Sequence, residues 1–549
     1  MSKIYKYTLR ALIILIIMST AYCSSKEAAD LIIKDATIYT VDSNFSTATA
    51  FAVKSGKFVA VGEDEEILKH YKSDNIIDAA GFAIYPGFLD GHCHFKGMGE
   101  NTVRYADLTG CKSFDEVIER LKIHFEKHPS DWLLGRGWDQ NLWKDKTFPT
   151  NERLDEVFAG KKVVLTRIDG HAGLVSKEVM SLANFDSETK IDRGEIIKDK
   201  DGKCTGLLVD KPYDIVRELV PKLEREELIR ALKIAEAKCL ACGLTGVTDA
   251  GLELEDIKLI DSLQQSGFLK LNFNIMINPD ERTMDYFMKN GIIKREGFSV
   301  RSIKIYADGA LGSRGAKLIQ PYSDSPSSTG IMVFDSTFYD KICEEAYNHG
   351  FQVCCHAIGD QGVRSILNIY AKYLGGKNDL RWRIEHSQVV NSEDFHLFKG
   401  YSIIPSIQST HATSDMGWAV QRLGEERLKG AYAQKQLLAT NGWIINGTDF
   451  PIEGISPLAT FYAAVARKDT GGRPEGGFLP EEAFSREEAL KSITIGPAKG
   501  YFAENEIGSI EVGKFADFVV LTDDIIKNKE NDILKTGIQS VWIKGKQIY

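Results

Sequence analysis

The chain has 549 residues, of which 26% are charged, and its formal net charge is −9. A single hydrophobic core stops growing at about 250–300 residues, so a chain of this length predicts more than one structural unit. The small acidic excess gives no sign of the concentrated basic patch that nucleic-acid recognition requires, and we therefore expect no nucleic-acid partner.

Residues 1–23 have the pattern of an export signal. Basic residues precede the apolar run Ala11–Met18, and small or polar residues follow it. The run is shorter than the ~20 residues of a membrane span. Cys23 stands where a bacterial lipoprotein signal carries its lipidated cysteine, although Tyr22 is bulkier than the residue such signals prefer. The pattern predicts an exported protein, either periplasmic or membrane-anchored by lipid at Cys23. An uncleaved interfacial anchor is the alternative.

Segments near both ends of the remaining chain have the composition and turn residues of β-strands. These segments are Ala29–Val41, Ala50–Val61 with a turn at Ser55 and Gly56, Phe515–Leu521 and Ser540–Tyr549. Two β-rich ends around a different middle predict a small composite β-sandwich domain, built from residues 28–85 and 505–549.

Residues 86–504 alternate short apolar runs with helical segments, which is typical of a parallel α/β sheet or barrel. Eight candidate strands end near polar residues: Asp90, Asp249, Asn278, Asp308, His356, His386, Gln408 and Asp449. Eight strands with helical crossovers predict a (β/α)₈ TIM barrel. The stretch between the first two strands is too long for a simple crossover, so residues 100–240 are predicted to be an insertion or cap.

Two histidines at the end of the first strand favour a metal site. His92 and His94 are separated by one residue, so in an extended strand their side chains point to the same face. Two imidazoles on one face suit zinc and similar divalent ions. Further polar residues at strand ends are Lys304, His356, His386 and Asp449. Since a barrel keeps its site at these ends, the six residues together predict a centre for one or two divalent ions.

Four motifs resemble those of a known superfamily. They are Pro86–His94 (PGFLDGHCH), Lys304–Arg314 (KIYADGALGSR), Gly447–Pro451 (GTDFP) and Gly508–Asp517 (GSIEVGKFAD). With these motifs the chain resembles the amidohydrolase superfamily, and within it the branch related to N-substituted formamide deformylase (amidohydrolase family 3). The resemblance extends over nearly all of Ala29–Tyr549.

The resemblance implies roles for the six residues. His92 and His94 would bind a first ion together with Asp449, and His356 and His386 would bind a second. Lys304 would bridge the two ions as a carbamate formed with carbon dioxide, because a carbamate offers anionic oxygens where an ammonium would repel the metal. The alternative is a one-ion site, in which Lys304 is neutral or ion-paired.

The implied function is hydrolysis of a non-peptide C–N bond, amide or formamide-like, in a small molecule. Attack would come from a metal-activated hydroxide, the ion being most simply zinc, and Asp449 would act as general base and then as general acid. Candidates for substrate contacts are Trp138, His171, Arg314 and His411.

Other functions remain open at this stage. The same fold and ions also serve deaminases, isomerases and enzymes that open cyclic amides. A non-catalytic solute-binding lipoprotein is a third class, although such a protein has no need of six metal-site residues. Whether the chain forms a homodimer is likewise open.

Overall fold

The computed structural model describes residues 26–168, 170, 172–191 and 194–549. The predicted export signal with Cys23, and the candidate His171, lie outside the described residues. Within the described part, no helix combines the length and apolar character needed to cross a bilayer. The chain divides into two compact units, one made of Lys238–Tyr549 with the residues up to His94, the other of Phe95–Ala237. The predicted domain boundaries stay a prediction.

The larger unit contains a nearly closed barrel of eight parallel strands, which confirms the predicted α/β barrel. Its strands, in chain order and each paired with the next, are β1 (Phe88–Cys93), β2 (Leu244–Leu252), β3 (Asn272–Ile277), β4 (Phe298–Tyr306), β5 (Gln352–Ala357), β6 (Arg383–His386), β7 (Ile404–Ile407) and β8 (Ile445–Asn446). Each strand ends within three residues of its predicted end, since every apolar run stops at a polar residue. A short strand, Ile293–Arg295, pairs antiparallel with β4.

Helices connect the barrel strands and flank them. In this unit they are Asp64–His70, Leu254–Gln265, Glu281–Asn290, Ser336–His349, Asp360–Leu374, Phe395–Gly400, Ser409–Asp415, Ala419–Leu428, Gln434–Asn441, Pro457–Ala466, Arg486–Ser492 and Ile495–Gly500. The helix Ser336–His349 shows why such segments begin and end where they do. Asp335 caps its first turn by accepting hydrogen bonds from the backbone N–H groups of Thr337 and Phe338, and Gly350 ends it in the left-handed conformation.

The same unit has two further sheets, the first made of N-terminal strands alone and the second of strands from both ends of the chain. One has the order Lys57–Gly62, Ala50–Lys54, Leu31–Lys34, Ile76–Asp78, and the other has the order Lys546–Gln547, Ile538–Ile543, Phe518–Leu521, Ala83–Pro86, Thr37–Tyr39, Thr47–Ala48. The two sheets share one apolar core, in which the ring of Phe518 lies 5.0 Å from that of Phe51 and 5.2 Å from that of Trp542.

The segment Ala29–Val41, predicted as one strand, is two strands in different sheets. The chain leaves the first sheet after Lys34 and enters the second at Thr37. Between them Asp35 has a φ of 53°, in the left-handed region, and its backbone N–H donates to the carboxylate of Asp64. The predicted single strand was therefore wrong at this turn.

The second unit, Phe95–Ala237, has its own six-stranded sheet. The strand order is Tyr105–Asp107, Trp132–Trp138, Lys162–Arg167, Ala172–Val175, Cys204–Asp210, Gly194–Lys198. Its helices are Phe95–Arg104, Phe114–Lys127, Glu152–Val157, Lys177–Leu182 and Lys211–Leu219, and Arg225–Ala241 begins in this unit. Trp138 is 1% exposed and its Nε1–H donates to the Leu165 carbonyl at 2.8 Å. Its side chain is therefore part of this unit's core and has no free surface to offer a substrate.

The barrel closes where two glycines let β1 and β8 approach each other. A Cβ added to Gly91 would lie 2.2 Å from Ile445 Cγ2 and 2.8 Å from the Asn446 carbonyl oxygen. One added to Gly447 would lie 2.5 Å from the backbone nitrogen of His92. Hydrogen bonds join the two chain segments just beyond, from Asp449 N to His92 O and from His94 N to Phe450 O, each 2.8 Å long.

We expect Gly91→Ala to destabilise the protein by about 1–3 kcal/mol, because the added methyl overpacks the contact between β1 and β8. Gly400→Ala is the matched control, since a Cβ there meets no atom within 4 Å. Denaturant unfolding of both variants measures the effect. Equal stability of the two variants would contradict the close approach of these strands.

Candidate metal centre

The six predicted ligand residues lie together at the carboxyl ends of the barrel strands. Four of them belong to strands: His92 to β1, Lys304 to β4, His356 to β5 and His386 to β6. His94 follows β1, and Asp449 follows β8. Parallel strands of a closed sheet bring such ends to one mouth, which is where barrel enzymes carry their sites.

Three of the side chains form a group with the spacing of metal ligands. The ligand atoms of His92, His94 and Asp449 all lie within 4.8 Å of one another. His94 Nε2 is 3.2 Å from Asp449 Oδ1, and His92 Nε2 is 3.7 Å from the same oxygen. Two imidazole nitrogens and a carboxylate at these distances are the donor types that zinc and related ions take.

The remaining three side chains adjoin this group. Lys304 Nζ lies 3.2 Å from His92 Nε2. The ring of His386 has its centroid 5.1 Å from that of His92 and 4.5 Å from that of His356. The six side chains therefore make one continuous cluster of donor atoms.

Burial keeps the imidazoles neutral. Removal from water lowers the pKa of His92 to about 4 and that of His356 to about 3, with the charge of Lys304 adding to the effect. Burial also holds the pKa of His386 well below its ordinary value. At neutral pH these rings are uncharged, which leaves one nitrogen lone pair on each ring free to bind a metal ion.

In the rings of His92 and His386, a hydrogen bond at one nitrogen determines that the other nitrogen carries the free lone pair. Glu385 Oε2 lies 2.5 Å from His92 Nδ1, and Gln408 Oε1 lies 2.7 Å from His386 Nδ1. A carboxylate or amide oxygen only accepts, so each Nδ1–H donates to it. The Nε2 lone pairs of His92 and His386 therefore face the centre.

Asp449 and Lys304 are the other two buried ionisable groups of the cluster. Burial by itself raises the pKa of Asp449, but the neighbouring imidazoles, His94 first among them, outweigh it and hold that pKa well below its usual range. Burial lowers the pKa of Lys304, against the opposing effect of Glu385 and Asp449. A carboxylate and an amine shifted toward its neutral form thus face the same space.

Several buried atoms at the centre lack partners, as a metal site requires. Within the described residues, His356 Nε2, His411 Nε2 and Asp449 Oδ1 have almost no solvent contact and no hydrogen bond. Buried polar atoms are rarely left unpaired, because each costs about 1–3 kcal/mol. A divalent ion would satisfy such donors, so the residues present fit the group that their chemistry implies.

Two of the predicted ligand residues have unusual backbone conformations. His386 has a φ of 71° and Asp449 a φ of 59°, both in the left-handed region. Non-glycine residues in this region are uncommon and cluster at functional sites. The surrounding hydrogen bonds hold both residues in place.

Asp90 ties together the two chain segments that carry His92 and Asp449, and it is not among the site residues predicted from the sequence. Its Oδ1 accepts from the backbone N–H groups of His92 at 3.0 Å and Thr448 at 3.1 Å, and its Oδ2 accepts from Thr448 Oγ1 at 2.7 Å. It thereby fixes the segment before Asp449 against β1. The sequence feature that could have identified Asp90 is its place inside the first motif, as an acidic residue two positions before His92.

Tyr306 is a second residue near the candidate centre that is not among the site residues predicted from the sequence. It stands two positions after Lys304 on β4, so both side chains point to the same face. Its ring lies 5.0 Å from Lys304 Nζ and 5.6 Å from the ring of His356. Burial raises its pKa, and the charges of Asp449 and Asp249 add to this, so the phenol keeps its proton at neutral pH. The sequence feature that could have identified Tyr306 is the pattern Lys-x-Tyr at the end of a strand.

The candidates for substrate contact have different surroundings. His411 adjoins the centre: its ring stacks at 5.7 Å on that of His386, and its Nε2 is 3.7 Å from Asp449 Oδ2. Arg314 instead pairs with Asp324 through two hydrogen bonds of 3.0 and 2.8 Å. That pairing uses the Nε and Nη2 atoms of its guanidinium. Trp138 is buried in the core of the other unit.

Comparison with known proteins identifies the family of this chain. The model of the amidohydrolase family matches residues 75–549. The chain belongs to the amidohydrolase family. It is accordingly a metal-dependent hydrolase, and His92, His94 and Asp449 are a potential metal-binding group in it.

This amidohydrolase is similar along nearly its whole length to several proteins. It is 30% identical to YtcJ of Bacillus subtilis, whose amidohydrolase name is provisional, over 93% of this chain and 98% of that protein. It is 24% identical to N-substituted formamide deformylase of Arthrobacter pascens, over 94% and 97%. The crystal structure of an uncharacterized metal-dependent hydrolase of Pyrococcus horikoshii superposes with a TM-score of 0.79 at 27% identity, covering 91% of this chain and 99% of that one.

We expect Asp449→Asn to weaken zinc binding roughly tenfold or more, because the variant loses the one carboxylate among these three ligand residues. The measurement is competition with a chromophoric chelator on the full-length protein.

Asp517→Asn is the matched control. Asp517 is also a buried carboxylate, but it accepts from Asn272, the first residue of β3, at the opposite end of the barrel. Zinc affinity equal in the two variants would exclude Asp449 as a ligand.

Proposed function

We propose that this amidohydrolase cleaves the C–N bond of a small amide or formamide, using one or two divalent ions that are most simply zinc. The observation that carries the proposal is the convergence of His92, His94 and Asp449 at the barrel mouth. The similarity to an enzyme named N-substituted formamide deformylase supports the choice of bond.

The ion's contribution is general to such sites: when bound, it lowers the pKa of water from ~15.7 to about 7 and polarises the carbonyl under attack. His92 and His94 would hold it through nitrogen, and Asp449 through an oxygen. The buried setting strengthens these interactions, since the local dielectric constant is low.

Asp449 is suited to carry the proton of the reaction. It is ionised at neutral pH, so it can accept the proton that the attacking water loses. As the water oxygen bonds to the carbonyl carbon and the C–N bond breaks, the same carboxyl group returns the proton to the leaving nitrogen. His94 Nε2 lies 3.2 Å from Asp449 Oδ1, so the carboxylate adjoins the ion site throughout this transfer.

Tyr306 and His411 are placed to contact the substrate beside the ions. The phenol of Tyr306 keeps its proton and adjoins Lys304, so it can donate to the oxygen on which negative charge develops. His411 adjoins the other side of Asp449 and can contact the leaving group.

Lys304 is proposed to carry a carbamate, which would supply anionic oxygens to the ions. Its neutral amine would add to carbon dioxide, forming an N–C bond and releasing one proton. Burial favours this step because it lowers the pKa of the amine, and only the neutral amine is a nucleophile. His356 and His386 would then hold the second ion.

We expect zinc-loaded protein to release amine from at least one member of a panel of N-formyl and N-acyl amines, with a cyclic amide and an aminopurine included to test the rival reactions. Asp449→Asn should lower turnover by about 10²–10⁴-fold, since the proton carrier is lost. The measurement is the appearance of free amine or ammonia, and for the cyclic amide the appearance of the ring-opened product.

Tyr306→Phe sharpens this test. It should lower kcat by about 10²-fold while bound zinc stays unchanged, because it removes one donor to the developing charge and no metal ligand. Full turnover by the Asp449→Asn variant would rule out Asp449 as the proton carrier. Activity on the aminopurine alone would favour a deaminase.

We also propose that the protein is exported and carries lipid at Cys23. Cys23→Ser should move it from the membrane fraction to the soluble periplasmic fraction, because the thiol is the attachment point. Fractionation of cells expressing the full-length chain tests this. An unchanged distribution, with the signal still cleaved, would argue against lipidation.

A further inference from the structure

A buried ion pair lies directly behind His92. Arg383 and Glu385 are each 0% exposed, as is His92. Arg383 Nε is 2.6 Å from Glu385 Oε1, and Glu385 Oε2 receives the Nδ1–H of His92 at 2.5 Å. Burying a carboxylate this deeply is costly unless it is paired and hydrogen-bonded, and here both conditions hold.

Arg383 fixes this carboxylate relative to the strand that bears His92. One of its terminal nitrogens, which carries two N–H bonds, lies within hydrogen-bond distance of three acceptors: Glu385 Oε2 at 2.9 Å, the carbonyl of Gly91 at 2.8 Å and Ser406 Oγ at 2.9 Å. Gly91 immediately precedes His92 in β1, and Ser406 belongs to β7. The guanidinium thus joins three strands and leaves Glu385 little freedom.

The corresponding position behind His386 has no charge. There the acceptor is Gln408 Oε1, a neutral amide oxygen 2.7 Å from His386 Nδ1. A carboxylate acceptor makes an imidazole a stronger ligand and brings negative charge toward the ion, whereas an amide only orients the ring. The two histidines therefore differ as ligands, although both are buried and neutral.

We propose that Glu385, held by Arg383, is a positioning residue that gives the ion at His92, His94 and Asp449 the higher affinity of the two. An ion at His356 and His386 is held more weakly and is lost first. The inference rests on the metal centre of the proposed function but not on its substrate.

The test uses full-length apo protein titrated with zinc against a chromophoric chelator, so no turnover is needed. For wild type we expect a tight and a weaker binding phase. Glu385→Gln should weaken the tight phase by about 10–100-fold and leave the weaker phase within about threefold. Glu385→Asp, which keeps the charge, should restore part of the affinity.

The reverse exchange is the matched control. Gln408→Glu places a carboxylate behind His386, so it should tighten the weaker phase and leave the tight one unchanged. If wild type binds a single ion, the proposal requires that Glu385→Gln weaken it and that Gln408→Glu leave it unchanged.

Because Glu385→Gln leaves the Arg383 charge unpaired, the double variant Arg383→Gln, Glu385→Gln is measured as well. Thermal unfolding of each apo protein shows whether folding is affected. A folded variant, single or double, whose tight phase is unchanged overturns the proposal, as does equal weakening of both phases. If the protein hydrolyses no member of the amide panel but shows both zinc-binding phases as expected, the proposed reaction is wrong and this inference stands.

Discussion

The close contact between β1 and β8 is the constraint on which the metal centre depends. Gly91 and Gly447 leave no side chain between the strands, and the carboxylate of Asp90 bridges them by bonding to Thr448, 358 residues away in the chain. Because His92 lies in β1, His94 follows it and Asp449 follows β8, this contact decides how far apart the three potential ligand atoms lie.

Burial then sets the chemical state of each group at this contact. The same exclusion of water lowers the pKa of His92 and Lys304 and would raise that of any carboxylate without a partner. Glu385 stays ionised because Arg383 and His92 outweigh its own burial. The centre thus combines neutral nitrogen donors with carboxylates that are charged only because specific neighbours hold them so.

The eight strand ends were predictable because each is a local signal, an apolar run that stops at a polar residue. The partners of a strand or a side chain, by contrast, are not local signals. Ala29–Val41 was predicted as one strand, since nothing in its sequence says that its halves join different sheets. Trp138 and Arg314 stay predictions as substrate contacts, and only packing supplies their partners, the Leu165 carbonyl and the Asp324 carboxylate.

The sequence by itself determined which chemistry is available: the residue types of a metal site, at strand positions that a barrel brings to one end. The tertiary structure alone decided the partners of those residues, such as Glu385 behind His92, Gln408 behind His386, and Tyr306 beside Lys304. The reason is physical. Strand alternation and apolar runs act over a few residues, whereas hydrogen-bond partners, burial and pKa depend on side chains that only the folded chain brings together.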